Sequence, residues 1–236
     1  MKKILPFALS AILFTTLHAA ESGPKEALAK ASKELANKTN YSWTATTKEA
    51  DGSAGRLGNV EGKTEKSGLT FLGLSPGGIP VEVYMKGEKG VARALEGWQS
   101  FDEITKAGGT AAAIARFLKT YKTPAAQAIE LANNVTELKE ADGVISGELK
   151  AEAINELLLM GGRRREGQDA PKTTDTKGSV KFWIKDGALN KYEINVQGKI
   201  TSSDRSLEID RTTTIEINEI GSTKIEMPAE AKEKIS

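Results

Sequence analysis

The chain has 236 residues, with 33 Lys+Arg against 32 Asp+Glu, one His and no Cys. Without Cys there is no disulfide, no thiol nucleophile and no iron–sulfur ligation. The one histidine, His18, falls in a segment that reads as cleavable, so a Ser-His-Asp triad, a structural zinc site, a His-ligated metal and haem are excluded with it. A balanced charge also argues against generic nucleic-acid binding, which needs an excess of positive charge.

Met1-Lys2-Lys3 is followed by an apolar run from Ile4 to Leu17, then by small Ala19-Ala20 and polar Glu21-Ser22-Gly23. A positive start, a short apolar stretch and a small-residue end make residues 1–20 a predicted secretory signal peptide. The run is about 14 residues, short of the roughly 20 that a membrane helix needs. Cleavage after Ala19 or Ala20 would remove Lys2 and Lys3, so the excess of one basic residue becomes an excess of one acidic residue. Residues 21–236 are expected to form one exported domain, periplasmic or extracellular, with no stable transmembrane segment.

The first mature element is a predicted helix over 24–37. Pro24 suits its first turn, where a missing N–H costs nothing, and Leu28, Ala31 and Leu35 make one stripe. Aromatic and Thr-rich Tyr41–Thr47 reads as a strand ending at Asp51-Gly52. Further strands are predicted over 60–66, 69–74, 79–86 and 91–95. The middle turns helical: Ala111, Ile114, Leu118 and Tyr121 share a face over 110–121. A second helix starts at Thr123-Pro124 and carries Ala128 and Leu131. Asp142-Gly143 then joins a hairpin of 135–140 with 144–150. Residues 151–160 form a short, very apolar helix, and 161–178 a long polar loop with Arg163-Arg164-Arg165. A meander of three strands, beginning at Val180, Leu189 and Leu207, leads to a terminal helix at Pro228. Hairpin-linked strands with helices gathered in a few places indicate an α+β fold on one antiparallel sheet. A parallel sheet would need strand and helix to alternate.

Three features of this order go together: a helix at 24–37 feeding an aromatic strand, a strand pair ending at Gly97-Trp98, and a long meander closing with Ile225-Glu226-Met227-Pro228. In this the chain resembles the periplasmic lipoprotein-carrier half-barrels, the LolA/LppX/RseB-like superfamily. The resemblance implies a single, strongly curved antiparallel sheet with helices packed on its concave face and an apolar cavity between them. It also implies a non-enzymatic carrier of an acyl chain, lipid or lipoprotein. The sensor branch of the same superfamily implies an alternative, an interaction module for an envelope protein. The lack of a lipidation Cys departs from many mycobacterial-type relatives.

Candidate ligand contacts follow from residue type. Trp43 and Trp98 offer large contact areas with one polar handle, unless they simply pack in the core. Trp183 shares a face with Lys181 and Lys185, which suggests a second buried face or a cation–π surface. Ile154, Leu157, Leu158 and Met160 make a helix apolar almost all round, either buried or lining a cavity mouth as a lid. Arg163, Arg164 and Arg165 suit an anionic surface, or a solvated loop diluted by Glu166 and Asp169. Arg211 shares strand parity with Leu207, Ile209, Thr213, Ile215 and Ile217. A guanidinium on an apolar face needs a partner, a bulge that reverses its phase, or room to snorkel. No residue stands out as catalytic, and no metal or cofactor is expected. A hydrolase built on carboxylates alone remains a distant third reading, since no pair of acids is brought together by the pattern.

Overall fold

The computed structural model describes residues 23–55, 57–94, 97–159, 171–202 and 205–235. The signal-peptide expectation, Met160 and the arginine run 163–165 lie outside the described residues.

Strand β1 (Asn40–Glu49) starts in the middle of the sheet, and β2 (Val60–Glu65), β3 (Leu69–Leu74), β4 (Val81–Lys86), β5 (Lys89–Ala94) and β6 (Gly97–Ser100) walk outward to one edge. Helices α2 (Phe101–Ala107), α3 (Gly109–Lys119) and α4 (Pro124–Asn133) then carry the chain to the opposite edge, β7 (Lys139–Ala141). From there β8 (Val144–Glu148), β9 (Lys172–Lys185), β10 (Ala188–Ser202) and β11 (Arg205–Asn218) walk back until β11 pairs with β1. Helix α1 (Pro24–Ala36) precedes the sheet, α5 (Ala151–Leu159) lies between β8 and β9, and α6 (Ala229–Ile235) ends the chain. The eleven described strands form one antiparallel, curled sheet that does not close, with β6 and β7 as its free edges. The fold is thus the α+β half-barrel expected from the sequence.

Side chains alternate along a strand, so each strand feeds two faces. On β4, Val83 and Met85 join the main core while Tyr84 belongs to a smaller cluster on the other side. The main core is the concave face: Leu72, Phe182, Ile194, Val196, Ile215 and Ile217 meet Leu28 and Leu35 of α1, Leu118 of α3, Leu131 of α4 and Ile154 and Leu158 of α5. The smaller cluster is convex: Tyr84, Val91 and Trp98 lie under Ala231 and Ile235 of α6, with Ile225 and Met227 of the preceding segment. The helices are therefore not all concave, because α6 covers the outer side of β4–β6.

Three other details depart from the sequence expectation. Residues 172–178, predicted as loop, are the first half of β9. Their polar, Thr-rich stretch lacks an apolar alternation, but pairing with β10 from Lys172↔Thr201 onward supplies the hydrogen bonds that hold it. A register shift between Gln197 and Lys199 and a positive φ at Asp175 mark a bulge there. Helix α2 and strand β6 were not predicted. The signal for α2 was present in Ser100-x-x-Glu103: the Ser100 hydroxyl accepts from Glu103 N–H at 3.2 Å, and the Glu103 carboxylate accepts from Ser100 N–H at 2.7 Å. The hairpin at Asp142-Gly143 is shorter than predicted, with Val135 bridging to Leu149 outside the strands.

Candidate binding site

The lining of the concave side is built from the sheet's inward positions. In this structure packed side chains occupy it. Trp43, 2% exposed, lies flat over Gly62; a Cβ on that glycine would stand 2.0 Å from the indole ring. The ring is stacked on Tyr121 at 6.5 Å between centroids, and Tyr41 is tilted against it at 5.7 Å.

These aromatics also tie the helical layer to the sheet. The Trp43 indole N–H bonds the Tyr121 hydroxyl at the end of α3. Tyr41 is hydrogen-bonded by the Thr123 hydroxyl and the Ala125 N–H at the start of α4. The Tyr192 hydroxyl donates to Gln127 Oε1 at 2.6 Å. Burial raises the pKa of all three phenols, because a buried phenolate loses its hydration. They stay neutral across the physiological range and act as donors and acceptors only. Sequence reading placed Tyr41 and Tyr121 on elements but missed this cluster. Thr123-Pro124 marked the start of a helix, yet nothing local said which strand residues would meet it.

Helix α5 docks on β9 and β10 through two glycines. A Cβ on Gly178 would come 2.8 Å from Ile154 Cγ1, and one on Gly198 would come 2.8 Å from Leu158 Cδ1. The missing side chains let the helix lie close to the sheet, with Ala153, Ile154 and Leu158 buried and Leu157 half-buried. Arg211 keeps the parity read from the sequence. No bulge interrupts its pairing with Val196 and Glu49, and its guanidinium donates to the Leu157 carbonyl near the C-terminal end of α5. A cation at that end meets unsatisfied carbonyls and the negative end of the helix dipole.

The predicted site residues therefore divide. Trp43, Ile154, Leu157, Leu158 and Arg211 all belong to the concave side. Trp98 does not: it sits on the convex face, 5.4 Å from Tyr84 and with the Arg93 guanidinium 5.2 Å above its ring. One residue of offset between strands suffices to send a side chain to the other face, and no motif marks that choice. Trp183 is also convex and half-buried, with the Lys191 ammonium 5.0 Å from its ring centroid. That is the cation–π surface considered from the sequence. Among the described residues no group of three or more His, Cys, Asp or Glu is placed to hold a metal ion.

Two surface hollows flank this arrangement. One, of about 360 Å³, lies on the convex face along Lys63, Phe71 and Tyr84. The other, of about 200 Å³, lies between the start of α1 and residues 132–138.

No family model and no curated protein matches the chain. Solved structures do. Lipoprotein LppX of Mycobacterium tuberculosis aligns with a TM-score of 0.48 at 10% identity, over 86% of this chain and 97% of that one. LprF from Mycobacterium bovis aligns with a TM-score of 0.44 at 13% identity, over 88% and 97%. A DUF1329 family protein from Desulfovibrio piger aligns with a TM-score of 0.30 at 7% identity, over 83% and 90%. The likeness is one of fold.

Proposed function

We propose that this is an exported, non-enzymatic binding protein that takes up a hydrophobic ligand, an acyl chain, lipid or lipoprotein, between the curled sheet and its helices. The export part rests on the signal-like pattern of residues 1–20. The binding part is supported by one observation: the sheet and the helices contribute unequally to the concave core. The sheet presents large apolar side chains, among them Leu72, Phe182, Ile194 and Ile217. Helices α3 and α4 present mostly alanines, with one buried leucine each: Ala112, Ala115, Ala125, Ala128 and Ala132 are buried beside Leu118 and Leu131. Lifting an alanine-lined helix exposes little apolar area of its own, at roughly 25 cal/mol per Å², while a ligand chain can take its place on the large residues of the sheet. A chamber this apolar would not stay empty, since unfilled volume forfeits packing contacts. A packed ligand-free form is what such a carrier needs. The α2–α4 connection runs between the two free edges, so it can move without breaking a strand pair.

A second reading is an envelope interaction module, favoured by the filled concave side itself. Native mass spectrometry of the protein purified without detergent, followed by titration with a fluorescent acyl chain, separates the two. The carrier reading expects co-purifying lipid or saturable one-to-one probe binding at about micromolar Kd. It also expects faster amide exchange in α3 and α4 in the complex. No lipid and no saturable binding up to about 100 µM probe would remove it and leave the interaction module.

A further inference from the structure

On the convex face, one cross-strand row runs Ser42, Lys63, Phe71, Tyr84, Val91, each residue directly opposite the next across β1 to β5. The segment after β11 crosses over this row on its way to α6. It is pinned at one point by the Tyr84 hydroxyl, which donates to the Glu226 carbonyl at 2.9 Å, and beyond it by Ile225 and Met227, which pack into the convex cluster. Sheet and strap do not close on each other fully. Between them lies the open-sided groove of about 360 Å³, lined by Lys63, Phe71 and Tyr84 below and by Ser222, Lys224, Ile225 and Glu226 above. Its volume lies at the low end of ordinary small-molecule sites, roughly 300–1,000 Å³.

The lining combines two chemistries. Phe71 and Tyr84 are tilted against each other at 5.1 Å and form an aromatic floor, with Ile225 beside them. Lys63 comes from the sheet and Lys224 from the strap, and among the described residues neither is ion-paired. Elsewhere on the molecule lysines do find acids, as Lys119 with Asp102 and Lys234 with Glu103. The groove's one carboxylate, Glu226, leaves an excess of one positive charge. An aromatic floor with two lysines in the same lining matches a flat apolar ring carrying an anionic substituent.

We propose that this convex groove is a binding site for a small organic anion with a flat apolar ring, either an aromatic phosphate or an aromatic carboxylate. Lys63 of the sheet and Lys224 of the strap would take the anionic group, Ser222 would donate a hydroxyl to it, and Phe71, with the edge of the mostly buried Tyr84 behind it, would take the ring. The site is separate from the concave chamber and does not depend on what that chamber holds.

The test is isothermal titration of the mature protein with phenyl phosphate and benzoate, and with inorganic phosphate and benzyl alcohol as half-ligands. Saturable binding of phenyl phosphate or benzoate is expected, whichever is tighter naming the anionic group. Both half-ligands should bind about tenfold weaker or more, and affinity should fall as salt rises. The double variant Lys63→Gln/Lys224→Gln should lose about tenfold in affinity, with Tm within about 2 °C because both residues are away from the cores. Phe71→Ala should lose several-fold. Acyl-probe binding should be unchanged in the double variant. No saturable binding of either aromatic anion up to about 10 mM, or wild-type affinity in the double variant, overturns the proposal. So does inorganic phosphate binding as tightly as phenyl phosphate, which would make the aromatic floor irrelevant.

Discussion

The two faces of the sheet solve the same problem with different means. The concave face is covered by α1, α3, α4 and α5, and its contacts are drawn together from both halves of the chain. Among the described residues the convex face is covered by the strap and α6 over β3–β6, with a small cluster around Tyr84 and Trp98. Elsewhere it is a polar surface of cross-strand pairs. Lys191 there lies 3.2 Å from Glu193 and 3.8 Å from Glu216 while also covering the Trp183 ring. The concave face thus carries most of the folding energy. The convex face carries local contacts that can be altered singly.

Matched substitutions on the two faces test that division, beginning with the largest effect. Trp43→Ala should destabilise by about 3–5 kcal/mol, since it empties a site boxed in by Gly62, Tyr41 and Tyr121. Trp98→Ala should cost less, about 2–3 kcal/mol, because a cluster at the edge of the sheet can collapse into the space. Urea unfolding at constant m-value measures both, and equal costs would mean that the convex cluster is no lesser core.

Glycines make a finer comparison. Gly62→Ala pushes a methyl into the Trp43 ring and should cost about 2–3 kcal/mol. Gly73 lies on the convex side, opposite Glu61 and Glu82, where a Cβ would meet only ordinary contact with Phe71 at 3.7 Å. Gly73→Ala should be neutral or stabilise by about 0.5 kcal/mol, by removing chain freedom from the unfolded state. Thermal melts of the two variants would sharpen the contrast, or erase it if they agree.

The Arg211 contact to α5 should be worth about 1–2 kcal/mol, as a charge-assisted bond to a helix end. Arg211→Met should therefore speed amide exchange in 151–159 while leaving exchange in α1 unchanged. Equal exchange in α5 would mean that the glycine-seated packing alone holds it.

The smallest effect concerns pH. Glu103 caps α2 and pairs with Lys234 of α6 at 2.9 Å, and the Ser100 N–H and the Lys234 ammonium bring its carboxyl down to about 2 from 4.5. A lowered carboxylate pKa stabilises the fold above the unfolded value, near 4.5, and that contribution is lost as pH falls toward 2. Acidification through this window should loosen α6 first, seen as a change in Trp98 fluorescence that Lys234→Ala mimics at neutral pH. A signal flat over the window would show that the convex cluster holds α6 without the ion pair.

Much of the fold was legible in the chain because its cues are local. Pro24 and the Leu28–Leu35 stripe marked α1, Asp142-Gly143 marked a hairpin, and the alternation of Val180, Phe182 and Ile184 marked β9's second half. The first half of β9 was not legible, because Lys172–Gly178 has no apolar alternation and is held by its neighbour β10. The parity of Arg211 could be read from its own strand. Its partner could not, because Leu157 lies on an element far away in sequence.

The sequence by itself determined the antiparallel α+β design, the apolar stripes of α1 and α5 and the absence of thiol chemistry. These depend on composition and on periods of two and 3.6 residues, which each segment carries alone. Only the tertiary structure decided that Trp98 faces outward, that three tyrosines join α3 and α4 to the sheet, and that Lys63 and Lys224 line one groove. Each of these needs strand register and chain crossing, which arise when distant segments pair and not before.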